Sequence, residues 1–124
     1  MLKISTACFL GFVLLIGVEI GLAGAGEVTF KMTNKARYAI IIKFFSQNRH
    51  WVWPGPTTHY ILDDDAEHDF PLACRNGEKI CFGGSYNSND RPRYWGLGLH
   101  GDKGCKNCCL TCADNVWHGW VLSE

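Results

Sequence analysis

Catalytic signatures are scarce in this 124-residue chain. Beyond residue 25 it holds only the serines Ser46, Ser85, Ser88 and Ser123, and none lies in the Gly-x-Ser-x-Gly elbow of an α/β-hydrolase. The histidines His50, His59, His68, His100 and His118 show no paired spacing, and no His-Glu-x-x-His zinc motif occurs. Charge of one sign is lacking as well, since 12 Lys and Arg face 12 Asp and Glu. A balanced surface gives no electrostatic reason to bind nucleic acid or an anionic membrane, so neither is expected as a partner. No apolar run reaches the roughly 20 residues of a membrane-spanning helix. Internal repeats, low-complexity stretches and amphipathic helical patterns outside the cysteine cluster are absent too.

What is present begins with an export signal. Lys3, an apolar run of about 15 residues from Ile4 to Val18, and Ala23-Gly-Ala25 are the three parts of a secretory leader. Glu19 weakens the apolar segment, and an uncleaved anchor is the competing reading. Cys8 precedes most of the apolar run, where a lipidated cysteine would follow it. The expectation is a helical signal peptide over residues 1–25, cut after Ala25, and one secreted or periplasmic domain over residues 26–124. Lys3 and Glu19 are the only charges in the leader, so the remainder stays neutral with 11 of each sign.

Six of the seven cysteines lie in that domain: Cys74, Cys81, Cys105, Cys108, Cys109 and Cys112. An even number in a small exported domain reads as a disulfide framework. Cys105 to Cys112 spaces four cysteines at i, i+3, i+4 and i+7, which would share one face if the segment were helical. Two of them bonding to Cys74 and Cys81, and two to each other, would staple the segment to the rest. Zinc held by paired Cys-x-x-Cys units and a labile redox pair are the alternatives. The export signal favours the staple, so no metal and no cofactor are expected.

Val28–Thr33 alternates apolar and polar residues, as a half-buried strand does. Tyr38–Phe45 is β-branched and aromatic with Lys43 its only charge, suiting a strand buried on most of both faces. Thr57–Leu62, Tyr94–His100 and Val116–Leu122 are further strands, Gln47–Pro56 is a loop, and Asp63–Asp69 is a solvated connection. Six to eight short strands with frequent turns predict an all-β fold, a small disulfide-stapled β-sandwich with a small β-barrel as the alternative. Asn76-Gly77 between two β-type runs predicts a type I′ hairpin. In that register Leu72 faces Cys81 and Cys74 sits diagonally from it, about 7–8 Å away and too far for a direct bridge. Both then point at the Cys105–Cys112 cluster.

Two motifs fail on inspection. Gly96-Leu-Gly-Leu-His-Gly101 matches a dinucleotide fingerprint letter by letter, but Asp102-Lys-Gly-Cys105 follows where a helix is required. Its glycines are expected where a strand bends or passes close to another backbone. The run Asp63, Asp65, Glu67, Asp69 fails the calcium-loop template, with His68 at the sixth position and Cys74 at the twelfth.

Aromatics carry the remaining signal. Trp95 is expected in the core, and Trp117 and Trp120 on opposite faces of their strand. Trp51 and Trp53 flank Val52 in a proline-bounded loop beside Arg49 and His50, where they can offer a platform to a sugar or a partner protein. The opposing reading folds them over the end of the core. The expected function is a non-enzymatic, monomeric binding module for a glycan or protein surface, with Trp51, Trp53 and Tyr94 as ligand-binding residues and no catalytic residue. The alternatives are a secreted effector, toxin or inhibitor, and a small hydrolase with a carboxylate pair, which has no sequence signature.

Overall fold

Alternation sets the first strand. In the computed structural model, which describes residues 24–86, 88, 90 and 92–124, β1 (Ala25–Asn34) turns Val28, Phe30 and Met32 to one side, fully buried. Thr29 and Lys31 face the other way and stay partly exposed. The expected signal peptide lies outside the described residues except for Gly24 and Ala25, and Ala25 pairs with Arg75.

β1 is the centre of a three-stranded sheet. β5 (Glu67–Arg75) pairs with it antiparallel, and β9 (Val116–Leu122) runs parallel on its other side. The second sheet has β2 (Ile40–Ser46) and β6 (Lys79–Tyr86) as antiparallel central strands. The free edge of β2 is shared by β3 (Val52–Trp53) and β4 (Tyr60–Leu62). That of β6 is shared by β7 (Tyr94–Gly96) and β8 (Cys109–Thr111). The fold is thus the expected all-β sandwich, and no helix occurs among the described residues.

The inner faces meet over Val28, Phe30, Met32, Ile40, Ile42, Phe44, Leu62, Leu72, Ile80 and Leu122, each at most 3 % exposed. A chain of rings runs through this core. Tyr60 meets Phe70 at 4.8 Å, Phe70 meets Phe44 at 5.5 Å, Phe44 meets Phe30 at 4.7 Å and Phe30 stacks on Trp120 at 5.2 Å. Offset and tilted pairs at such separations add to the stabilisation from burial alone. Asn34 is a buried polar residue. Its Nδ2 donates to the carbonyls of Tyr38 and Leu62, and its Oδ1 accepts from the Ala36 N–H, so its burial leaves no bond unmade.

The Asn76–Gly77 hairpin requires correction. The turn exists, with the Glu78 N–H donating to the Arg75 carbonyl at 2.9 Å, but β5 and β6 belong to different sheets. Only Gly77 of the pair has positive φ, at 86°. That is a type II pattern; type I′ needs positive φ at both central residues. Type II twists against the strands and splays them apart. Cys74 and Cys81 remain unbonded to each other, because they lie on different sheets and not because they are diagonal in one.

β6 is buried on both faces. Inside lies the core; outside, the segment 97–108 folds back over the sheet. A Cβ built on Gly83 would sit 1.8 Å from the Gly98 carbonyl oxygen, and one on Gly101 would sit 3.0 Å from the Phe45 ring. The expected strand Tyr94–His100 therefore stops at Gly96, where Gly96, Gly98 and Gly101 take positive φ and turn the chain. The cysteine cluster is not helical; Cys109–Thr111 is strand β8.

Three disulfides fasten this arrangement. Cys74–Cys112 joins the two sheets, Cys81–Cys109 links directly opposed residues of β6 and β8, and Cys105–Cys108 closes a small loop within the covering segment. Two cluster cysteines thus reach Cys74 and Cys81 and two bond each other, as the staple reading expects. Such a framework belongs to an oxidising environment. Among the described residues no helix is long and apolar enough to cross a membrane.

Candidate functional site

Strand register builds a concave site on the outer face of the larger sheet. Ile41 of β2 pairs with Ser85 of β6, and Ser85 pairs with Tyr94 of β7, so three adjacent strands set these side chains in one row. Residues paired across strands share a face. The row floors a cleft of about 620 Å³, within the range of small-ligand sites. Ser88, Pro92 and Arg93 of the β6–β7 connection form one wall, and Leu99, His100, Asp102 and Lys103 of the covering segment form the other.

The cleft is mixed in character. The Tyr94 ring is half exposed, with the Lys103 ammonium 5.2 Å from its centroid. Arg93 lies over the Trp95 ring at 5.1 Å and donates to the Ser123 carbonyl. Trp95 Nε1 donates to the same carbonyl at 3.0 Å, so Trp95 is half-buried against the core while the chain's last residues brace β7. The Tyr86 hydroxyl donates to the Glu124 carboxylate. Burial, then that bond, push the Tyr86 phenol up, and the same bond holds Glu124 below the usual carboxylate range. Among the described residues the lining carries two fixed cations, Arg93 and Lys103, against one carboxylate, Asp102. Neither Lys103 nor Asp102 forms an ion pair among the described residues.

Trp51 and Trp53 stand elsewhere. β3 and β7 occupy opposite edges of the sheet, three strand spacings or about 14 Å apart. The platform residues and Tyr94 are therefore not brought together. Trp53 packs against the core and Trp51 is half exposed. Arg49 lies over both indoles, at 5.1 and 5.8 Å from their ring centroids. The guanidinium is itself fixed by the buried Glu78, with Nε to Oε2 at 2.6 Å and a second N–H to Oε1 at 3.1 Å. Burial alone would raise the Glu78 pKa. The Arg49 hydrogen bonds, the Arg75 N–H, the Ser46 hydroxyl and the Arg49 charge together outweigh it and bring the value to about 2.

Trp117 is the most exposed of these aromatics. It and Trp120 do take opposite faces of β9, Trp120 inward and Trp117 outward at 63 % exposure. With Thr29, Lys31, Glu67 and Asp69 it bounds a shallow depression of about 600 Å³ on the smaller sheet, where Lys31 lies 5.4 Å from the indole and pairs with Asp69 at 3.3 Å.

The acidic run is solvated and bonded within itself. Asp64 takes the His68 ring nitrogen at 2.7 Å and the Ala66 N–H at 3.0 Å, and these bonds, the His68 one foremost, lower its pKa. Glu67–Asp69, expected in the connection, form the start of β5. Among the described residues the only group spaced to ligate a metal is Cys81, Cys108 and Cys109, whose sulfurs are held in disulfides.

Of the cleft residues, sequence reasoning singled out Tyr94 alone. Ile41, Ser85, His100, Asp102 and Lys103 come from three distant segments, and their only sequence trace is the glycine run that bends 96–101 over the sheet. No protein-family model matches the chain, and no curated protein or solved structure matches it either.

Proposed function

We propose that this is a secreted or periplasmic binding module, not an enzyme, that takes a glycan in the cleft floored by Ile41, Ser85 and Tyr94. The observation that carries the reading is the half-exposed Tyr94 ring within a cleft ringed by hydroxyl, imidazole, carboxylate and cationic groups. An aromatic face accepts the apolar side of a sugar ring, while mixed donors and acceptors at the rim fix its hydroxyls. The excess of Arg93 and Lys103 over Asp102 favours glycans that carry a carboxylate or sulfate. A glycosidase of the usual kind needs two carboxylates flanking the scissile bond. The described lining offers one, which supports binding without hydrolysis.

A glycan array probed with residues 26–124 tests the reading. Binding to acidic glycans is expected, with loss of at least ten-fold in affinity in Tyr94→Ala and little change in Trp117→Ala or Trp51→Ala. An empty array, or binding that survives Tyr94→Ala and disappears in Trp117→Ala, would overturn it.

A further inference from the structure

We propose that Cys105–Cys108 is a redox-active disulfide that exchanges with dithiol partners and passes reducing equivalents inward to Cys81–Cys109. Three observations converge on it. The bridge spans a sequence separation of 3, against 28 and 38 for the others, so it restricts the unfolded chain least and is the poorest structural staple. Cys105 is part-exposed on the covering segment, between Lys103 and Lys106, whereas Cys108 and Cys81 are 2 % and 1 % exposed. Cationic neighbours favour a thiolate. Finally, Cys108 Sγ lies 3.6 Å from Cys109 Sγ, and the sulfurs of Cys81, Cys108 and Cys109 all fall within 4.8 Å of one another. One disulfide therefore touches the next.

A thiolate of the external dithiol attacks Cys105 Sγ, the Cys105–Cys108 bond breaks, and Cys108 leaves as a thiolate. The second thiolate of the partner attacks the partner's sulfur in the mixed disulfide. Cys105 is released as a thiolate, and the partner departs oxidised to its own disulfide. The Cys108 thiolate then attacks Cys109 Sγ and expels the Cys81 thiolate. Attack of the Cys105 thiolate on Cys108 Sγ restores Cys105–Cys108 and frees Cys109. Two electrons have moved from the partner to the Cys81–Cys109 pair, of which Cys81 is buried and Cys109 is part-exposed like Cys105. Cys74–Cys112 stands apart and keeps the two sheets joined throughout.

Timed reduction of the oxidised domain by dithiothreitol, with acid quench, alkylation and peptide mass mapping, tests the relay. Cys105 and Cys108 are expected to label at least ten-fold faster than Cys74 and Cys112. Labelling of Cys81 and Cys109 should slow at least ten-fold in Cys105→Ser/Cys108→Ser, with the Cys74–Cys112 rate in the same sample as the control for folding. If that control rate rises, showing that the variant has unfolded, the wild-type domain decides. After a stoichiometric pulse of dithiothreitol, label must pass from Cys105 and Cys108 to Cys81 and Cys109 at constant total thiol. A Cys105–Cys108 bridge that opens no faster than Cys74–Cys112, an unchanged Cys81–Cys109 rate in the folded variant, or no transfer of label after the pulse would overturn the proposal.

Discussion

Arg49 and Glu78 are 29 residues apart in sequence and meet through two N–H···O bonds, at 2.6 and 3.1 Å. The Glu78 side chain is 2 % exposed, and Ser46 and the Arg75 N–H complete its coordination. The same carboxylate thus closes the Arg75–Glu78 turn and holds the guanidinium over Trp51 and Trp53. Removing one partner from a buried pair leaves a desolvated charge, so the pair matters more when broken than when made.

Acid should expose this carboxylate's contribution. Its folded pKa of about 2 lies below the ordinary 4.5, so the stabilisation is fully present above about pH 4.5 and is lost as pH falls toward 2. The shift corresponds to about 3 kcal/mol. Urea titrations from pH 7 to pH 2.5 should show the wild-type domain losing more stability than Glu78→Gln, whose curve is expected to be flatter. Parallel curves would contradict the assignment.

Gly83 should be intolerant of any side chain. Its Cβ would lie 1.8 Å from the Gly98 carbonyl oxygen, 2.8 Å from the carbonyl carbon and 3.0 Å from the Phe45 ring, so the covering backbone itself would have to shift. Gly83→Ala is expected to cost about 3 kcal/mol, at the upper end for overpacking. Gly104→Ala, with nothing within 4 Å of the added carbon, should fall within about 0.5 kcal/mol of wild type. Thermal melts of the two variants make the comparison.

The disulfides should rank by the loop each closes. Chain-entropy arguments give about 4 kcal/mol for Cys74–Cys112 and about 2 kcal/mol for Cys105–Cys108. Cys74→Ala/Cys112→Ala should therefore melt well below Cys105→Ser/Cys108→Ser. The reverse order would mean that the small loop, and not the link between sheets, holds the fold.

The strands were readable where the pattern is local. Val28–Thr33 alternates because one face is wet, Ile40–Phe45 does not because most of its outward residues are covered as well, and Val116–Leu122 matches β9 residue for residue. Asn76-Gly77 announced a turn, yet a dipeptide cannot say whether its flanking strands pair or part into two sheets. Cys74 and Cys81 were legible as partners of the cluster, but which sulfur meets which depends on β8 lying beside β6. The cleft was illegible for the same reason. Ile41, Ser85 and Tyr94 become neighbours only through register across three strands, and Asp102 and Lys103 only because glycines let the covering segment fold back.

The most direct test of the central claim is an amide chemical-shift titration of the domain with an acidic glycan identified on the array. Shifts confined to Ser85, Tyr94 and Leu99–Lys103, and abolished by Tyr94→Ala, are the predicted result. Shifts centred on Trp117, Lys31 and Asp69, or on Arg49 and Trp51, would contradict it.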